Sequence, residues 1–168
     1  MSIPVIAFFN NKGGVGKTSM VYHLAWMFSD CGFRVIAADL DPQCNLTASF
    51  LDEDRLEQVM SHDGKPLTIF GAIQPLKEGI GDVAEPHVEI ILPKKSKVVN
   101  NTDDKDVTEP HVEIITGETG SDRLGLILGN MGLSTFEDEL SEVWPKCLAG
   151  NPRAFRVTSA FWRLVQMA

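Results

Sequence analysis

The sequence predicts an α/β fold built on a parallel sheet, and three observations in its first 50 residues carry that expectation. Residues 3–9 (IPVIAFF) form an almost continuously apolar run, as a strand buried on both faces requires. A glycine-rich stretch, residues 12–18, follows at once and leads into a helical pattern. A second apolar run, residues 33–40 (FRVIAADL), closes the unit with acids at its carboxyl end. Strand, turn, helix and strand in this order make one right-handed βαβ unit.

The first run predicts a strand over 3–9. Residues 19–30 predict a helix, with Val21, Leu24, Ala25 and Phe28 on one face and Tyr22 with Trp26 on a neighbouring one. Gly32 ends it, since glycine tolerates the left-handed backbone that closes a helix. Beyond the second strand, residues 54–60 and 67–76 read as short helices with a polar break at 61–66. Residues 124–128 (LGLIL) predict a third short strand, and residues 135–148 a helix interrupted near Pro145. Residues 152–167 predict a terminal helix, capped by Asn151 ahead of the first-turn Pro152. Its apolar face, Phe155, Ala160, Phe161, Leu164 and Val165, reads as a core element rather than a membrane-binding one.

The middle of the chain differs in character. Residues 82–91 recur as 106–115 at an offset of 24, with nine of ten positions identical. Two copies are too few for a solenoid, and a local tandem duplication is the preferred explanation, with no functional weight. The stretch between them, 92–105, is polar and reads as a flexible loop. Each copy places a His and a Glu two residues apart, His87/Glu89 and His111/Glu113. Such pairs could bind a metal, although duplication explains their recurrence without one.

Composition excludes several classes. At 168 residues, with 43% hydrophobic and 23% charged residues, the chain suits one globular domain. The net charge of −8 arises between residues 51 and 120, where fifteen acids face seven bases. No basic stripe able to neutralise several DNA phosphates is present. No apolar run is long enough to cross a bilayer. Cys31, Cys44 and Cys147 fit neither a disulfide framework nor a metal pattern, so a reducing cytoplasm is expected.

The chemistry lies in the string Lys12-Gly13-Gly14-Val15-Gly16-Lys17-Thr18, followed by Ser19. A glycine-rich turn between a strand and a helix lets backbone N–H groups and the positive helix end converge on anionic oxygens. Lys17 would reach the outer phosphates of a nucleotide, and the Thr18 hydroxyl would ligate Mg2+. Lys12, at the turn's entrance, has a solvated loop lysine as its plain alternative. Asp39 and Asp41 fall at the sheet's carboxyl edge beside this turn; a polar strand end is their plain reading, and single-residue spacing on a strand lets both side chains point at one site.

This lysine-bracketed string, read with Asp39-Leu40-Asp41-Pro42-Gln43, resembles the ParA/MinD (Soj-like) deviant Walker A ATPases, and specifically the ParA branch. The resemblance is strong over 3–50 and weaker over 124–168, where Gly129-Asn130 and residues 136–140 carry it. It implies a parallel-sheet P-loop NTPase fold of the SIMIBI type, here as a single partial domain over 1–168. In that division 1–50 is the nucleotide-binding βαβ core, 51–120 an irregular acidic segment and 121–168 a strand plus helices. By resemblance, residues 12–19 bind ATP, Thr18 and Asp39 serve Mg2+, and Lys12, Lys17 and Asp41 are catalytic. Lys12 would reach the phosphates of a partner across a nucleotide-sandwich dimer, and Asp41 would position the attacking water. Cys44 stands where the family pattern has a small residue.

The family pattern also has a later acid-bearing strand, before which this chain stops at Ala168. The sequence therefore reads as the N-terminal part of the fold or as a shortened protein. The function implied is an ATP-dependent dimer switch in plasmid or chromosome partition, in the bacterial cytoplasm. Full-length relatives would associate with the nucleoid through non-specific DNA binding and meet a centromere-binding protein. The alternative is a non-catalytic paralogue that binds nucleotide or a full-length ParA and modulates it. A MinD-like membrane ATPase and a dethiobiotin-synthetase-like amidoligase fit less well, the first for want of a basic amphipathic tail and the second because of the Asp-x-Asp-Pro-Gln string.

Overall fold

The structure, a computed structural model, describes residues 3–10, 12–60, 67–92 and 123–168. The loop 12–16 leads into α1 (Lys17–Asp30), β1 (Val35–Ala38), α2 (Asn45–Phe50), α3 (Glu53–Met60) and α4 (Ile69–Glu78). There follow β2 (Glu89–Ile91), β3 (Leu124–Ile127), α5 (Leu133–Cys147), α6 (Pro152–Thr158) and α7 (Ala160–Met167). The result is an α/β fold, as the sequence predicts.

The strands form a sheet of order β1-β3-β2. β1 runs parallel to β3, with Val35 opposite Leu124 and Ala38 opposite Ile127. β2 runs antiparallel to β3, with Ile90 opposite Gly125. The small sheet is thus mixed rather than wholly parallel, and its antiparallel member lies within the first copy of the duplicated segment. The second copy, 106–115, and the expected flexible stretch from 93 onward lie outside the described residues.

β3 is central and buried on both faces. Alternation along a strand divides its side chains between two layers. Leu124, Leu126 and Leu128 join Ala25 of α1, Leu46 and Phe50 of α2, Val59 of α3 and Ile91 of β2 in one core. Ile127 enters the other core, with Ile69, Ile73 and Leu76 of α4, Phe136 of α5, Val157 of α6 and Leu164 of α7. Gly125 must be small, because a Cβ there would lie 2.5 Å from the Val88 Cγ1.

Residues 3–9 depart from expectation. They are extended and exposed, with Phe9 at 88% of its free surface, and they form no strand. Apolar composition alone supplies no hydrogen-bonding partner, and among the described residues neither outer edge of the sheet, at β1 or at β2, pairs with this run. The helices agree better. α1 ends where Gly32 (φ 89) takes the left-handed conformation, with Phe33 N–H donating to Phe28 O and Gly32 N–H to Ser29 O. α5 continues past Pro145, which falls in its last turn. The terminal helix is two pieces broken at Ser159, where the Thr158 and Ser159 hydroxyls donate back to the carbonyls of Ala154 and Phe155. Asn151 caps α6 as expected, its Oδ1 accepting from the N–H groups of Arg153 and Ala154.

Candidate functional site

The glycine-rich turn has the backbone its sequence calls for. Gly14 (φ 70) and Gly16 (φ 86) are both left-handed, which any other residue would resist. A Cβ built at Gly13, Gly14 or Gly16 would meet nothing within 4 Å, so the concave side of the turn is open. Lys12 N–H donates to Asn10 Oδ1 at 2.8 Å, and the Lys17 ammonium folds back to donate to Asn10 O at 2.9 Å. Residues 12–16 and Ser19 are exposed, while Lys17 and Thr18 are half-buried.

α1 begins on this turn with Gly16 at its N-cap and no side-chain cap. The first N–H groups of a helix have no intrahelical acceptor and carry the positive end of its dipole. The first-turn N–H groups of Lys17, Thr18 and Ser19 therefore stand beside the open turn with the Lys17 ammonium and the Thr18 hydroxyl. This donor set suits a polyanion such as a nucleotide's phosphates.

Asp39 and Asp41 lie just past the end of β1, which stops at Ala38, so strand alternation no longer governs them. Their surroundings differ. Asp39 is only 3% exposed. Its Oδ2 accepts from Thr47 N–H at 2.8 Å and from the Thr47 hydroxyl at 2.7 Å, and its Oδ1 accepts from Asp41 N–H at 3.2 Å. Asp41 is half-buried, its Oδ1 accepting from Gln43 N–H at 2.9 Å. Cys44, left-handed at φ 55, turns the chain into α2. Burial first, then the charges of Asp39 and Asp41, push its thiol up to about 11, which leaves it a poor nucleophile.

One residue of this region, Thr47, escapes sequence reasoning. The Thr47 hydroxyl also accepts Gly129 N–H at 2.9 Å, joining α2 to the turn after β3. Gly129 has to lack a side chain, since a Cβ would sit 2.9 Å from Asp39 Cγ. The Gly129-Asn130 pair carries some family resemblance, but nothing in the spacing points to Thr47.

Elsewhere, Glu89 receives both Arg55 Nε and Nη2, at 2.8 and 2.9 Å, with His87 Nε2 at 3.1 Å. Among the described residues, no three His, Cys, Asp or Glu side chains converge to hold a metal ion. His111 and Glu113 lie outside those residues. An open cleft of about 610 Å³ between α4, α5 and α6 includes Lys77, Glu139, Glu142, Lys146 and Arg153. Its charges are largely paired with one another, Arg153 with Glu139 and Lys146 with Glu142, which weakens any pull on an ion. No described helix is long and apolar enough to cross a membrane.

Comparison with known proteins bears on the family. The chain is 41% identical over 73 residues to the chromosome-partitioning ATPase Soj of Thermus thermophilus, covering 42% of this chain and 28% of that protein. It is 54% identical over 43 residues to the protein IncC of Escherichia coli, covering 26% and 12%. A putative replication protein A of Rhizobium rhizogenes is 40% identical over 72 residues, covering 43% and 17%. The solved structure of protein DIP2308 from Corynebacterium diphtheriae superposes with a TM-score of 0.65 at 28% identity, covering 94% of this chain and 46% of that one. The chain thus spans less than half of the solved relative, and the matched stretches span under a third of these curated ones. Residues 6–140 match the CbiA family, described as the CobQ/CobB/MinD/ParA nucleotide binding domain, and the chain belongs to that family.

Proposed function

We propose that this chain is the nucleotide-binding part of a ParA-type ATPase that binds Mg·ATP and acts as a nucleotide-dependent dimer switch in plasmid or chromosome partition. The observation that carries this reading is the open, doubly left-handed glycine turn set on the uncapped start of α1. Relatives named as a partitioning ATPase and as ParA support the biological setting.

Residues 12–19 would bind the phosphates. Lys17 would leave Asn10 O for the outer phosphate oxygens, and Thr18 would offer its hydroxyl to Mg2+. Mg2+ held there would neutralise charge on the phosphates. Asp41 would orient a water for in-line attack, and Asp39 would stand behind it on the magnesium side. Lys12, exposed at the mouth of the turn, would reach a second subunit. A cation supplied in trans makes hydrolysis depend on dimerisation, as an arginine finger does. The second subunit would be another copy or a longer ParA, and a centromere-binding protein and nucleoid DNA would belong to the full assembly. The exposed run 3–9 favours a second reading, a non-catalytic subunit that pairs with a longer ATPase of the family.

Calorimetry with Mg·ATP tests the site. The wild-type chain is expected to bind, Lys17→Ala to lose binding, and Lys12→Ala to bind but fail in nucleotide-dependent dimerisation. Unimpaired binding by Lys17→Ala would refute the assignment. Steady co-purification with a longer ATPase, without turnover in the mixture, would decide for the second reading.

A further inference from the structure

We infer that Thr47 is a positioning residue of the nucleotide site: through Asp39 it fixes the turn that carries Asp41 and ties that turn to the glycine turn after β3. The inference rests on the nucleotide reading above and adds to it a residue which that reading does not use.

The argument begins with one hydroxyl. Thr47 is fully buried, and its single hydroxyl proton is directed at Asp39 Oδ2, 2.7 Å away, beside its own backbone N–H at 2.8 Å. A lone pair of the same oxygen accepts Gly129 N–H at 2.9 Å. The group is thus donor and acceptor at once, which a hydroxyl can satisfy and a methyl cannot. On its other oxygen Asp39 accepts Asp41 N–H at 3.2 Å. Two stretches of chain, 39–41 and the first turn of α2, therefore meet on one carboxylate, and the turn after β3 joins them through the Thr47 hydroxyl. Hydrogen bonds to a carboxylate are about twice as strong as neutral ones, and in a buried site losing one leaves its partner unsatisfied. Asp39, so occupied, acts on the magnesium end mainly by setting where Asp41 stands.

The experiment compares the full chain with Thr47→Val, Thr47→Ser and Gly129→Ala. Amide exchange is read at Asp41 and Gly129, and ATP affinity is measured calorimetrically with Mg2+ and with EDTA. Thr47→Val is expected to speed exchange at those two amides more than elsewhere. It should also weaken Mg·ATP binding about tenfold while leaving Mg2+-free ATP binding unchanged. Thr47→Ser should restore both. Gly129→Ala, whose Cβ would lie 2.9 Å from Asp39 Cγ and 3.0 Å from its Oδ2, should reproduce the valine pattern without altering the Thr47 side chain. Local exchange equal to wild type, or equal loss of affinity with and without Mg2+, would overturn the assignment. Lys17→Ala should abolish nucleotide binding and leave the Asp41 and Gly129 amides unchanged. If the wild-type chain takes up no nucleotide, both the nucleotide reading and the positioning role go, while exchange still decides whether the tie exists.

Discussion

Cys44 holds a left-handed backbone at φ 55 and starts α2 without a side-chain cap. A side chain with a Cβ is strained there, and glycine is not. Cys44→Gly should therefore stabilise the chain by about 1 kcal/mol, less whatever the buried part of the thiol contributes, measured by urea denaturation. Unchanged or lower stability would mean that the thiol's packing outweighs the strain. The phosphate turn was legible because its residues are contiguous and their spacing is their geometry. Thr47 was not, because its partners lie 8 and 82 positions away and no pattern links them.

At the level of elements, α1, β1 and β3 were readable from apolar pattern and from the glycine that closes α1. α2 was not: it is six residues long, and polar Asn45, Thr47 and Ser49 alternate through it. The strand expected over 3–9 did not form, since composition reports what a segment can bury and not which strand edge it pairs with. Two element joints can be tested. Asn151→Ala removes the acceptor for two N–H groups of α6 and should cost about 1 kcal/mol in thermal or urea unfolding. The Arg55–Glu89 pair fastens α3 to β2. The Arg55 side chain is the main cause holding the Glu89 carboxyl below its ordinary 4.5. A depressed folded value stabilises above the unfolded one, and this contribution disappears as pH falls through the folded value. The stability advantage of wild type over Glu89→Gln should therefore be present at neutral pH and vanish in acid. Because the Arg55 side chain is 41% exposed, solvent screening should keep the advantage small.

For the whole molecule, the notable imbalance is apolar surface. Ile3, Ile6 and Phe9 are 54%, 65% and 88% exposed in one continuous run. Contiguous exposed apolar surface promotes association. Concentration-dependent light scattering is expected for the wild-type chain, and Ile6→Ser combined with Phe9→Ser should lower it. No change would place the association elsewhere. The −8 net charge opposes such association at low salt, so added salt should strengthen it.

The register that sets Val35 beside Leu124 has a consequence for synthesis. β1 leaves the ribosome long before its neighbour exists, and at ~5–20 residues per second the wait lasts on the order of several seconds. For that interval α1 to α4 lack the strand on which they pack, and α5, α6 and α7, which follow it, do not yet exist. Chaperone capture is most useful in that window, and slowing translation near residue 124 would lengthen it.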